Sequence, residues 1–177
     1  LKKQMNRQYY YLFGLSAILM LLAFCIESPQ RLLDGMITIL FSPSQLFTDY
    51  MQIASVGSTL LNVAIMLLIN IYSYKKLEIP VNGTVIGSLG MLAGFSFFGK
   101  NLFNSIPFML GVWIYAKVTR QNYRNYVIVG LFGSALGPLV SFLAFGGALP
   151  SGWSILVAYA LGIFIGFILP QLSTQYL

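Results

Sequence analysis

GFSFFGKNLFNSIP, Gly94 to Pro107, decides how the rest of the chain is read. It sets Lys100, Asn101, Asn104 and the helix-breaking Pro107 between two segments apolar enough to enter a bilayer. Ammonium and amide groups are costly among lipid tails, so these side chains must face a polar cavity, the membrane surface or partners on other helices. Pro107 has no N–H to bond one turn back, which frees a carbonyl near Phe103. In a membrane a freed carbonyl has to find a protein or water partner.

Composition agrees with a bilayer protein. Of 177 residues, 58% are hydrophobic and 8% charged, against about 25% charged in soluble domains. The ten basic residues outnumber the four acidic ones, but they gather in short stretches between apolar runs, which argues for lipid and against nucleic acid as the partner. Histidine is absent and Cys25 is the lone cysteine. With no His and one Cys, classical catalytic triads, zinc sites and thiolate clusters are excluded within the chain, and neither a catalytic residue nor a cofactor is expected.

The apolar runs predict an all-α polytopic bundle of about six spans plus a short interfacial or re-entrant helix. Tyr9 to Ile26 is the first span, with Tyr9, Tyr10 and Tyr11 expected at headgroup depth. No small-residue cleavage site follows, so it reads as a retained span and not a signal peptide. Ser28-Pro29 signals a helix to about Phe41, with Gln30, Arg31, Asp34 and Thr38 on one face and Leu33, Met36, Ile37 and Leu40 on the other. At 1.5 Å per residue it is too short for a hydrocarbon core of about 30 Å. Ser42-Pro43 repeats the start signal, followed by Ser44, Gln45, Thr48 and Asp49, and the next span is expected from about Met51 to Tyr72, with Ala54, Ser58 and Asn62 as a close-packing face.

Gly83, Gly87, Gly90 and Gly94 leave one side of the following helix, Thr84 to Phe98, without bulk. Leu102 to Lys117 comes next. Tyr126 to Phe145 is interrupted by Gly133, Gly137 and Pro138, where a kink, an unwinding or a re-entrant hairpin is expected. Ser154 to Leu169 is the last span, with Ala158, Gly162 and Gly166 four apart and Pro170 as its stop. Placing both termini in the cytoplasm puts Lys2, Lys3, Arg7, Lys75, Lys76, Lys117, Arg120 and Arg124 inside and leaves Arg31 and Lys100 outside or buried, as the positive-inside rule asks.

The expected substrate path is therefore Lys100, Asn101 and Asn104, with Phe95, Phe98, Asn62 and Asp49 as further lining. Each has a plainer alternative. Lys100 can snorkel to headgroups, the asparagines can be interhelical hydrogen-bonding groups, the phenylalanines can face lipid, and Asp49 can stabilise a helix start. The glycines, Gly83, Gly87, Gly90, Gly94, Gly162 and Gly166, read as helix-packing positions.

SPSQLFTDYMQIASVGSTLLN, residues 42–62, and GMLAGFSFFGKNLFNSIPFMLGVWIYAK, residues 90–117, resemble an uncharacterised bacterial family of multi-pass membrane proteins catalogued as a domain of unknown function. The resemblance implies a repeated unit of about this length. The chain, which opens on Leu1, would then be one repeat of a longer protein in the bacterial cytoplasmic membrane, paired with a second repeat or with further copies of itself. It brings no activity and no functional residues. The residues themselves favour a transporter or channel unit for a small polar or anionic solute. The alternative is a non-transporting scaffold or assembly subunit. An intramembrane enzyme ranks last, because no span holds a carboxylate pair or a nucleophile beside a base.

Overall fold

The computed structural model describes residues 2–44, 47–147, 149–150 and 152–176. Gln45, named above for the polar stretch, lies outside them. The described residues form helices and no strand: α1 Lys2–Ile26, α2 Pro29–Phe41, α3 Tyr50–Ile53, α4 Val56–Lys76, α5 Gly83–Phe97, α6 Leu102–Val118, α7 Val127–Gly133, α8 Gly137–Phe145 and α9 Ser154–Tyr176. Among the described residues four helical stretches, Met5–Ile26, Val56–Lys76, Val127–Phe145 and Ser154–Ser173, are long and apolar enough to cross a membrane, and α5 and α6 are shorter apolar helices. The residues divide into two compact units, one of Leu1–Ile39 with Asp49–Phe98, the other of Leu40–Thr48 with Gly99–Leu177.

Many large apolar side chains lie outward, and several polar ones lie inward beside an apolar core. Leu21 is 65% exposed and Leu156 60%, whereas Ser16, Asn62, Ser88, Asn104 and Ser141 are buried. Apolar side chains turned outward over polar ones turned inward are what a hydrocarbon surround selects, because every interior polar group must find its partner within the protein.

In the first unit α1 packs on α4 and α4 on α5. The contacts carry hydrogen bonds between helices: Ser16 Oγ donates to the Ala64 carbonyl (2.7 Å), Asn62 Nδ2 to the Ser96 carbonyl (2.8 Å), and the Tyr74 and Ser88 hydroxyls meet at 3.1 Å. Tyr9, Tyr10 and Tyr11 do not act together. Successive residues on a helix point about 100° apart. Tyr9 therefore turns inward to bond the Ile79 carbonyl at 2.6 Å, while Tyr10 stays outside with the Lys75 ammonium 4.8 Å from its ring.

The expected span from Met51 begins five residues later. The chain helps itself to one short turn, α3, breaks at Ala54, and restarts at α4 with Ser55 as N-cap. Glu27 explains the restart: its carboxylate accepts from Ser55 Oγ (2.7 Å) and the Gly57 N–H (3.3 Å), a negative group on the positive end of α4. Ser42-Pro43 starts no helix among the described residues. On α2 the buried stripe is Leu32, Gly35 and Ile39, while Leu33 and Ile37 face outward. Gly35 is needed there, since a Cβ would collide with Ser58 and touch Ala54 at 3.6 Å.

In the second unit α6 packs most extensively on α9, with α7 and α8 against both. The α6–α9 contact is between backbones. A Cβ on Gly111 would strike the Ile163 carbonyl, one on Gly166 the Phe108 carbonyl, and one on Gly162 would lie 2.8 Å from Pro107 Cβ. Pro107 sits inside an unbroken α6, and the Phe103 carbonyl it releases accepts the Tyr159 hydroxyl at 3.0 Å. Tyr159→Phe removes that donor. It is expected to lower stability by about 0.5–1.5 kcal/mol, read as a lower midpoint of thermal unfolding in detergent. An unchanged midpoint would mean that the carbonyl is satisfied some other way.

Two expectations about breaks are corrected. Residues 127–145 do not reverse as a re-entrant hairpin. They stay right-handed helical and merely tighten to a 3₁₀ turn at Ser134–Leu136. Pro170 does not stop α9, which runs on to Tyr176. Proline forfeits one bond to the preceding turn, and that loss alone does not end a helix held by packing along its length.

Candidate functional site

The polar centre of the second unit is built from two helix ends. Asn101 lies extended at φ −142° and caps α6: its Oδ1 accepts the Asn104 N–H at 3.0 Å, and Asn104 Oδ1 returns the bond from the Asn101 N–H at 3.0 Å. This reciprocal pair satisfies two of the donors that every helix start leaves open. Asn104 Nδ2 then donates to the Gly99 carbonyl (2.8 Å) and to Ser141 Oγ on α8 (2.9 Å). Gly137 makes room for it, since a Cβ there would press on the Asn104 carboxamide.

Lys100 is fully buried. Its ammonium donates to Ser134 Oγ at 2.6 Å and to the Leu131 carbonyl at 3.2 Å, and Ser134 Oγ donates to that same carbonyl at 2.7 Å. The 3₁₀ turn at Ser134–Leu136 breaks the regular register of the helix and opens the last carbonyls of α7 to side chains. These carbonyls carry the negative end of the α7 dipole, which suits a cation. The alternative that Lys100 snorkels to headgroups is thus at odds with its place in the interior, and the asparagines' bonds are spent within the protein.

The structure brings Lys100, Asn101 and Asn104 together. Asn62, Asp49, Phe95 and Phe98 belong to the first unit. There Asn62 bonds the Ser96 carbonyl, and Asp49 is exposed and caps α3 by accepting the Met51 N–H at 2.9 Å. Phe98 is exposed, with its ring 6.3 Å from that of the half-buried Phe97, and Phe95 is half-buried. Gly83, Gly87, Gly90 and Gly94 lie on the exposed side of α5, where a Cβ at each would meet nothing within 4 Å. Sequence reasoning missed Ser134, Ser141 and the Leu131 carbonyl, because isolated serines in apolar runs carry no period and a backbone acceptor carries no sequence signal. It also missed Glu27, which with Arg31, Asp34, Thr38 and Ser55 lines a cavity of 440 Å³ in the first unit.

Asn101→Ala leaves the α6 start uncapped in a buried place and is expected to cost about 1–2 kcal/mol. Asn101→Asp, which keeps the acceptor, should recover most of it. Equal unfolding midpoints for the alanine variant and the wild type would contradict the cap's role.

No curated protein and no solved structure matches the chain. One family does, over residues 28–177, and its description is Protein of unknown function (DUF1576). The match spans most of the chain, and the chain belongs to that family of unknown function.

Proposed function

We propose that the chain is a transport or channel unit for a small polar or anionic solute, and one repeat of a longer protein of the bacterial cytoplasmic membrane. In this reading α5 and α6 also cross the bilayer, which brings the spans to about six, and the basic stretches lie inside with the N-terminus. The observation that carries it is the buried ammonium of Lys100 at the 3₁₀ turn between α7 and α8. Helix ends and irregular helical turns gathered around one charge are the kind of parts from which transporters replace a solute's hydration. A polar or anionic solute would take over the ammonium from Ser134 Oγ, with the Leu131 carbonyl and Ser141 hydroxyl as further partners.

Flux into liposomes holding the purified full-length protein tests it. Uptake of some member of a panel of inorganic anions, small carboxylates and small neutral polar solutes is the expected result, and no uptake of any is the result that overturns it. A second reading, a scaffold or assembly subunit, is favoured by the open glycine side of α5. It predicts a stable complex through that helix and no flux.

A further inference from the structure

The second unit holds four cationic side chains, Lys100, Lys117, Arg120 and Arg124, and not one Asp or Glu. Lys100 lies in the interior, so the other three concentrate positive charge in residues 117–124, at the end of α6 and in the loop that follows it. That loop is shaped. Arg120 takes φ +56°, which turns the chain back on the helix, and the Gln121 N–H reaches the Ala116 carbonyl at 2.8 Å. Asn122 Oδ1 holds the Arg124 N–H at 3.0 Å, which leaves the Asn122 amide nitrogen as a donor.

Between this loop and the last turns of α6 lies a cavity of 310 Å³ lined by Trp113, Ala116, Lys117, Gln121, Asn122 and Tyr123. Its wall offers one ammonium, two carboxamides, a phenol and an indole, and no carboxylate. Burial pushes the Tyr123 phenol up to about 12, so it stays a proton donor at neutral pH. The Lys117 ammonium sits 5.7 Å from the ring of Trp113, which is itself half exposed at the end of an apolar helix, where indoles settle at the boundary of hydrocarbon and headgroups.

We infer that this cavity is a binding site for the phosphate of an anionic phospholipid headgroup. Lys117 supplies the charge in the wall and the exposed Arg120, next to Gln121 in the loop, adds to the positive field outside it; the Gln121 and Asn122 amides and the Tyr123 hydroxyl donate to the phosphate oxygens, and Trp113 packs at the glycerol level. Cationic pockets between helices at a membrane surface are suited to such headgroups, and multiple convergent donors suit phosphate oxygens. The inference rests on the chain being a membrane protein and is independent of transport, so lipid binding and flux can fail separately.

Native mass spectrometry of the detergent-solubilised full-length protein, titrated with phosphatidylglycerol or with phosphatidylcholine of the same acyl chains, tests it. The wild type is expected to retain phosphatidylglycerol with roughly tenfold preference, since each Lys or Arg near an anionic headgroup strengthens binding several-fold. The surface double variant Lys117→Gln/Arg120→Gln should bring that preference to within about twofold, while the charge-keeping Lys117→Arg/Arg120→Lys should preserve most of it. Millimolar inorganic phosphate should leave lipid retention unchanged. Equal retention of the two lipids by the wild type, or an unaltered preference in the charge-removing variant, overturns the site. Displacement of the lipid by inorganic phosphate alone overturns the headgroup assignment and points to free phosphate.

Discussion

Replacing Gly166 by alanine is expected to cost about 2–4 kcal/mol, among the largest single losses available in the second unit. The added methyl would fall on the Phe108 carbonyl. A flexible side chain can step aside, but a helix backbone cannot move without carrying its neighbours. Gly111→Ala meets the same obstacle from the other side, at the Ile163 carbonyl, so the two losses should not add, because either one alone forces α6 and α9 apart. Gly87→Ala on α5 provides the contrast. Nothing lies within 4 Å of that position, and alanine is favoured over glycine in a helix by about 1 kcal/mol. Thermal unfolding in detergent, with helicity followed by circular dichroism, separates the three. A Gly166→Ala midpoint equal to the wild type's would mean that the α6–α9 approach is looser than described.

Lys100→Met is expected to cut flux by about one to two orders of magnitude, while leaving the fold in place. Methionine nearly matches the volume of lysine, and exchanging a buried charge for a well-packed apolar chain is often close to neutral, within about 1.5 kcal/mol. What it removes is the ammonium. A hydrogen bond to a charged group is worth roughly 1.5–3 kcal/mol, so the flux of an anionic or polar solute that uses it should fall by about ten- to a hundredfold. Lys100→Ala is the less informative variant because it adds a cavity, costing about 2–4 kcal/mol on its own. Unaltered flux in a well-folded Lys100→Met protein would move the path away from Lys100.

Local signals along the chain read well where they decide the outcome alone. Ser28-Pro29 starts α2, Asn101 starts α6, and the carbonyl released by Pro107 has its hydroxyl partner, Tyr159, 56 residues away in sequence. The same kind of signal fails where a distant group outvotes it. Ser42-Pro43 matches Ser28-Pro29 in its residues yet begins no helix among the described residues, while Ser55 begins α4 because Glu27, just past the end of α1, completes its cap. Pro170 illustrates the converse, a local stop overridden by packing along a 23-residue helix.

The site was half legible for the same reason. Lys100, Asn101 and Asn104 declare themselves by standing as polar groups in apolar sequence. Their partners do not. Ser134 and Ser141 are ordinary serines, and the Leu131 carbonyl is invisible until the 3₁₀ turn exposes it. The glycine periods were legible as packing faces, but only contact geometry separates Gly162 and Gly166, pressed on α6, from the α5 glycines that meet nothing in the chain. Gly111, pressed on the Ile163 carbonyl, lies outside any such period.

Transport through the second unit requires that solute and water reach the Lys100–Ser134 contact. Ser134→Cys in a Cys25→Ser background, which removes the exposed native thiol, places a thiol at that contact in otherwise intact protein. Labelling by a small membrane-impermeant methanethiosulfonate, compared with a cysteine at the exposed loop residue Arg120 and one at the packed residue Val112, is the direct measurement. The predicted result is reaction at position 134 well above that at position 112, slowed by Lys100→Met. Protection at position 134 equal to that at position 112, in protein that folds normally, would contradict it and leave a dry, structural polar centre.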